Sequence, residues 1–138
     1  MSQVNFFTEE IAFKLSHPKK TSSWIKKAIA AERKDLRSLN FVFCTDEYLG
    51  AINKQYLKHQ TFTDVITFDQ SDDDALEGDI FISVERIREN AQKFSNSFDD
   101  ELHRVLIHGV LHLIGYGDKT KAHKIIMRKK EDAYLSLR

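Results

Sequence analysis

The chain has 138 residues, 41% hydrophobic and 30% charged, and its 21 basic and 21 acidic side chains cancel at neutral pH. That length supports one domain with a core of its own, needing neither disulfide nor metal to fold, so any metal is there for function. Zero net charge excludes whole-molecule attraction to nucleic acid or membrane and leaves such binding to local patches.

The start, MSQVNFFTEEIAF, lacks the basic and apolar stretches of a signal peptide, and no run approaches the roughly 18 apolar residues of a membrane span. A cytoplasmic protein is expected. Within that start, VNFF reads as a first strand. After a break at SHPKKTSS, the segment Ser23 to Arg37 places Trp24, Ile25, Ala28 and Ile29 at helical spacing. LNFVFCT, rich in aromatic and β-branched residues, reads as a strand. It contains Cys44, the single cysteine, which rules out an internal disulfide, suits a reducing compartment and packs as a small hydrophobe.

From Asp46 to Leu57, the residues Leu49, Ile52, Tyr56 and Leu57 mark one helical face. DVITFD and GDIFISV are two further strands, separated by QSDDDALE, whose Asp72, Asp73 and Asp74 with Glu77 form a solvated acidic loop. Ser83 caps a helix running to Phe94, because its hydroxyl accepts from an unpaired N–H of the first turn. The turn SNSFDD places Asp99 and Asp100 at the positive end of the next helix. A last helix runs from Lys119 to Leu137. Strands interleaved with helices give an α/β, or layered α+β, architecture. The expectation is one domain over residues 1–138: a small mixed sheet of about four strands, helices packed on it, and one central enclosed helix.

That central helix holds VLIHGVLHLIGYGD, Val105 to Asp118. At about 100° per residue, Leu102, Val105, Leu106, Gly109, Val110 and Leu113 cover one broad face. His108 and His112 lie about 40° apart on its flank. Ile107, Leu111 and Ile114 fill much of the remainder, so the helix is apolar nearly all round and must be largely enclosed. Imidazoles in that setting need partners. Each ring could bond a backbone carbonyl and be a satisfied core residue. Gly115, however, lets the helix stop and the chain turn back, which brings Asp118 beside the two rings. Asp118 could also serve as N-cap of the last helix.

HxxxHxxGxxD thus offers two nitrogens and an oxygen, a three-ligand set that leaves a fourth tetrahedral position open, as catalytic metals require. His108, His112 and Asp118 are the expected metal ligands. Zinc suits imidazole plus carboxylate best, and nickel, iron and manganese also accept such donors. Metalloproteases with this spacing carry a glutamate after the first histidine as general base. Here that position is Gly109, which argues against a zinc peptidase and instead permits close approach of a backbone or substrate.

HGVLHLIGYGD resembles the signature of the YbeY family of bacterial rRNA maturation factors, whose pattern is histidine-glycine-x-leucine-histidine-leucine-x-glycine-tyrosine-aspartate-histidine. INKQYL followed by TDVITFD resembles the family's asparagine-x-x-tyrosine-arginine and threonine-aspartate-valine-leucine-serine-phenylalanine segments, and EGDIFIS resembles its glycine-aspartate-isoleucine strand. The resemblance implies a metal-dependent endoribonuclease that hydrolyses single-stranded RNA in rRNA maturation and ribosome biogenesis, with rRNA and ribosomal particles as partners. It also implies that Thr63 and Asp64 line the cleft, although a turn or capping role at the start of their strand is equally open. Two positions depart from the pattern. Asp118 stands where the family usually has histidine, adding one negative charge. Leu57 stands where the family has an arginine that acts at the phosphate, leaving Lys58 and His59 as neighbouring donors for substrate. No catalytic residue is assigned beyond the metal ligands. A non-catalytic ribosome-assembly protein with a metal site is the remaining alternative.

RNA also needs cations along its backbone. Lys119, Lys121, Lys124, Arg128, Lys129, Lys130 and Arg138 outnumber Glu131 and Asp132 in the last twenty residues and start directly behind Asp118. They are the expected phosphate-binding set. Lys19, Lys20, Lys26 and Lys27 form a second group, read as a solvated helix face. His17, His103 and His123 fit no ligand spacing with the pair and carry no assignment.

Overall fold

The computed structural model describes residues 3–56 and 65–138. Among the described residues nine elements follow one another: β1 (Gln3–Glu9), α1 (Pro18–Ala31), β2 (Leu36–Cys44), α2 (Asp46–Tyr56), β3 (Val65–Asp69), β4 (Leu76–Ser83), α3 (Val84–Lys93), α4 (Phe98–Ile114) and α5 (Lys121–Leu135). The sheet has the order β1-β2-β4-β3. β1 and β2 are parallel, as are β2 and β4, while β3 runs antiparallel to β4. A parallel neighbour cannot follow through a tight turn, and α1 and α2 lie in the connections that make those returns.

This is the small mixed α/β sheet that the pattern predicts. Alternation decides which face meets the helices. Phe41 pairs with the half-buried Phe6 on one side and Ile80 on the other, Phe43 pairs with Ile82, and Phe41, Phe43, Ile80 and Ile82 are buried. They form the main core with Trp24, Ile25, Ala28 and Ile29 of α1 and the apolar residues of α4. The opposite face carries a smaller cluster in which Leu49 and Ile52 of α2 cover Cys44 and Ile66. The Cys44 thiol donates to the Ile82 carbonyl at 3.4 Å, and burial pushes its pKa up to about 12, in keeping with a packing role.

α4 is the enclosed helix. Leu102, Val105, Leu106, Ile107, Gly109, Val110, Leu111 and Leu113 are all buried, and the helix packs against α1, α3, α5, β3 and β4. Ser97 opens it by accepting from the Asp100 N–H, ahead of Asp99, Asp100 and Glu101 in the first turn. Ser83 caps α3 as expected, accepting from the Arg86 N–H.

The boundaries of two helices differ from the sequence expectation. α1 begins at Pro18 rather than Ser23, because a proline at the first helical position has its φ preset and its missing N–H is not needed there. It ends at Ala31, followed by Arg33 at φ 58°, and Leu36 and Arg37 belong to β2. α5 begins at Lys121 with Thr120 as N-cap, not at Lys119. The acidic loop is more ordered than a merely solvated run: Asp72 accepts from the N–H groups of Asp74 and Ala75 and pairs with Arg37 at 2.9 Å. Among the described residues no helix is long and apolar enough to cross a membrane.

Candidate metal centre

One turn apart on α4, the rings of His108 and His112 stand edge to face with centroids 4.6 Å apart, both partly exposed at the rim of the helix. Their position follows from what surrounds them. The buried face of α4 presses onto the sheet through Gly109, where an added Cβ would meet Ile80 Cγ2 at 3.0 Å. Gly109 therefore lets α4 sit close to an isoleucine side chain of the sheet, correcting the expectation that a backbone or a substrate approaches there. It also means that the position following the first histidine faces the core, so a glutamate general base has no place at it.

Gly115 closes α4 with φ 126°, in the positive range that L side chains rarely adopt. Its N–H donates to the carbonyls of Leu111 and His112, and the Tyr116 N–H reaches back to the Leu111 carbonyl at 3.0 Å. This six-to-one closure turns the chain sharply. Asp118 returns so that its Oδ2 lies 3.1 Å from His112 Nε2 and 3.4 Å from His108 Nε2. The N-cap role for Asp118 is taken by Thr120, whose hydroxyl accepts from the His123 N–H at 3.0 Å.

Donor atoms of His108, His112 and Asp118 all lie within 4.8 Å of one another. Two ligands bound tetrahedrally at about 2.0–2.1 Å are themselves about 3.3 Å apart, so the two nitrogen–oxygen separations fit donors that can share a small divalent ion. The remaining chemistry also fits: imidazole nitrogens and a carboxylate, with 24%, 29% and 41% of the three side chains exposed, leave the point of convergence open to solvent.

Two residues beside the ligands escaped the sequence reading. Glu131 Oε2 lies 2.6 Å from His108 Nδ1, and its other oxygen accepts from Arg104 Nη1 at 2.8 Å. Arg104 precedes His108 by one turn on α4, a spacing that could have flagged it. Glu131 is 23 residues away on α5 and has no local signal; in the sequence it is only a negative charge among the C-terminal cations.

The connection that carries Asp118 is fixed by a second carboxylate. Glu32, just past α1, accepts from the Tyr116 hydroxyl at 2.5 Å, from Lys130 Nζ at 2.9 Å and from the Tyr134 hydroxyl. Burial pushes the Glu32 carboxyl up, but these hydrogen bonds and the Lys130 charge outweigh it and hold the carboxyl below its ordinary value. Burial, followed by the bond to Glu32, raises Tyr134 to about 12. The expected phosphate-binding set shrinks accordingly. Lys130 is committed to Glu32, and Arg138 pairs with Asp99 and Asp100 at 2.6 and 3.2 Å. Lys119, Lys121, Lys124, Arg128 and Lys129 remain exposed, as do Lys19, Lys20, Lys26 and Lys27 on α1.

The candidate substrate residues Lys58, His59, Thr63 and Asp64, with Leu57, lie outside the described residues. The strand that follows them begins at Val65, whose Cγ2 would lie 3.7 Å from a Cβ at Gly109, next to the first histidine. Among the described residues no other histidine joins the triad. His103 is buried against Trp24, with Nδ1 at 2.7 Å from the Asp99 carbonyl, and burial holds its pKa low. His123 packs beside Gly117, where a Cβ would lie 3.2 Å from its Nδ1.

The family model for Endoribonuclease YbeY matches residues 4–137. The chain belongs to the YbeY family. It is 47% identical to the endoribonuclease YbeY of Christiangramia forsetii over 135 residues, 98% of this chain and 94% of the relative. The Karelsulcia muelleri YbeY is 52% identical over 132 residues, covering 96% and 93%. A Thermotoga maritima protein solved in solution superimposes with a TM-score of 0.62 at 25% identity, over 97% of this chain and 87% of that one. Against the YbeY signature, Gly117 lies beside the His123 ring, and Asp118 stands at the register of the histidine that ends the signature.

Proposed function

We propose that this chain is a single-domain metal-dependent endoribonuclease that hydrolyses phosphodiester bonds of single-stranded RNA in rRNA maturation. Zinc is the proposed ion and His108, His112 and Asp118 its ligands. The observation that carries the reading is the convergence of three donors, 3.1 and 3.4 Å apart across the carboxylate, at an opening flanked by the basic start of α5. A divalent ion bound there supplies Lewis acidity, making water a better nucleophile at neutral pH and offsetting charge that develops on the phosphoryl oxygens. The protein's own part is placement and electrostatics. The two imidazoles supply neutral nitrogens, Asp118 supplies one negative charge, and Lys119, Lys121, Lys124, Arg128 and Lys129 draw the phosphate backbone toward the opening.

The proposed setting is cytoplasmic, with rRNA in ribosomal particles as substrate, and Lys58, His59, Thr63 and Asp64 as contacts to it. The peptidase alternative loses its footing at Gly109, which faces Ile80 where a protease would need its base. Metal analysis combined with cleavage assays on single-stranded RNA, structured RNA and casein tests the proposal. Wild type is expected to hold one ion per chain and cut single-stranded RNA in preference to the duplex, leaving casein intact. His108→Ala should lose at least the roughly 10–100-fold that loss of even an outer-sphere partner costs. Undiminished RNA cleavage by that variant would refute the assignment.

A further inference from the structure

The two histidines of the triad are held differently. His112 turns Nε2 toward Asp118, and no carboxylate among the described residues stands behind its ring. His108 also turns Nε2 toward Asp118, but its Nδ1 meets Glu131 at 2.6 Å. Glu131 is 5% exposed although its neighbours Lys129, Asp132 and Ala133 are exposed. A buried carboxylate is tolerated only when paired, and the Arg104 guanidinium provides the pairing. One arm donates to Glu131 Oε1 and the other to Asp132 Oδ1, each at 2.8 Å, so the fork spans consecutive residues of α5 from one turn before His108.

We infer that Glu131 is a positioning residue for His108, with Arg104 as its anchor. The inference rests on reading the triad as a cation site. A neutral imidazole has one N–H and one lone pair, and the partner of one nitrogen decides which form the ring takes. An ionised carboxylate can only accept. Glu131 therefore selects the hydrogen on Nδ1, leaves the lone pair on Nε2 facing Asp118, and makes that nitrogen a better donor to a cation. Arg104, bonded to Glu131 and Asp132 at once, holds the Glu131 carboxylate in place. Neither residue bonds Asp118 or His112, so their influence on a bound ion passes through His108.

A structural staple between α4 and α5 would have the same contacts but different consequences. Zn²⁺ affinity is measured on the metal-stripped full chain by competition with a chromogenic chelator, alongside thermal unfolding of the stripped protein. Glu131→Ala is expected to weaken Zn²⁺ binding about 10–100-fold. Glu131→Gln, which keeps an oxygen for the Nδ1 hydrogen, recovers part of that loss. In a His108→Ala background Glu131→Ala should cost no further affinity, whereas in a His112→Ala background its full effect should persist. Should Glu131→Ala fold poorly, Glu131→Gln carries the same comparison. Unchanged affinity in both Glu131 variants, or equal losses in the two histidine backgrounds, overturns the inference alone. A wild-type chain that binds no Zn²⁺ overturns the cation site with it.

Discussion

A methyl group at position 109 would stand 3.0 and 3.2 Å from two carbons of Ile80, whereas one at position 115 would meet nothing within 4 Å. The two glycines are therefore required for different reasons. Gly109→Ala overpacks the contact between α4 and the sheet and is expected to cost about 1–3 kcal/mol, read as a lower urea midpoint. Gly115→Ala meets no neighbour but must hold φ 126°, and should cost about 1 kcal/mol or more. Because Gly115 starts the return of Asp118, its variant should also weaken ion binding. Asp118→Asn separates placement from charge: with 41% of the side chain exposed, stability of the stripped protein at pH 8 should change by less than about 0.5 kcal/mol. Its ion affinity should fall sharply. An Asn variant that binds as tightly as wild type would show that the carboxylate is not a ligand.

Between elements, Glu32 joins the end of α1 to α5 and to the connection carrying Asp118. Its carboxyl lies below the ordinary value of 4.5, so the stability it contributes is present above that pH and is lost as the pH falls through the lower folded value. Glu32→Gln should accordingly destabilise the protein by about 2 kcal/mol at pH 7, and the gap should narrow toward pH 3 in urea titrations. A gap that stays constant with pH would mean that the carboxylate's charge is immaterial. Such cross-element bonds are also where the sequence was least legible. Existence and type of all nine elements followed from periodicity, turn residues and caps, because those signals are local. The boundaries that differ are local too: Pro18 is the first residue of α1 rather than part of the break before it, and Thr120, not the more conspicuous Asp118, caps α5. Glu131 and Glu32 were invisible as partners because their contacts form only after α1, α4 and α5 have packed.

For the whole molecule, the enclosure of α4 explains why the ligands could be read at all. A helix surrounded by other elements must be apolar nearly all round, so two imidazoles on it stand out, and the glycine behind them limits where the chain can go next. The cationic surface was less legible, since counting charges cannot show that Lys130 and Arg138 are occupied by Glu32, Asp99 and Asp100. Lys124→Ala and Arg128→Ala should each weaken RNA binding regardless of sequence and lower the salt dependence by about one unit, while Lys130→Ala should act on stability instead. A salt dependence unchanged in the first two would place the RNA elsewhere.

The central claim is that two imidazoles and a carboxylate hold one divalent ion. Titrating the metal-stripped protein with Co²⁺ and following its visible absorption tests this directly. One equivalent per chain, with the strong bands of a four-coordinate site in wild type and their loss in His108→Ala, His112→Ala and Asp118→Ala, is the predicted result. Saturation with the same stoichiometry and spectrum in all four proteins, or no binding by wild type, would contradict it.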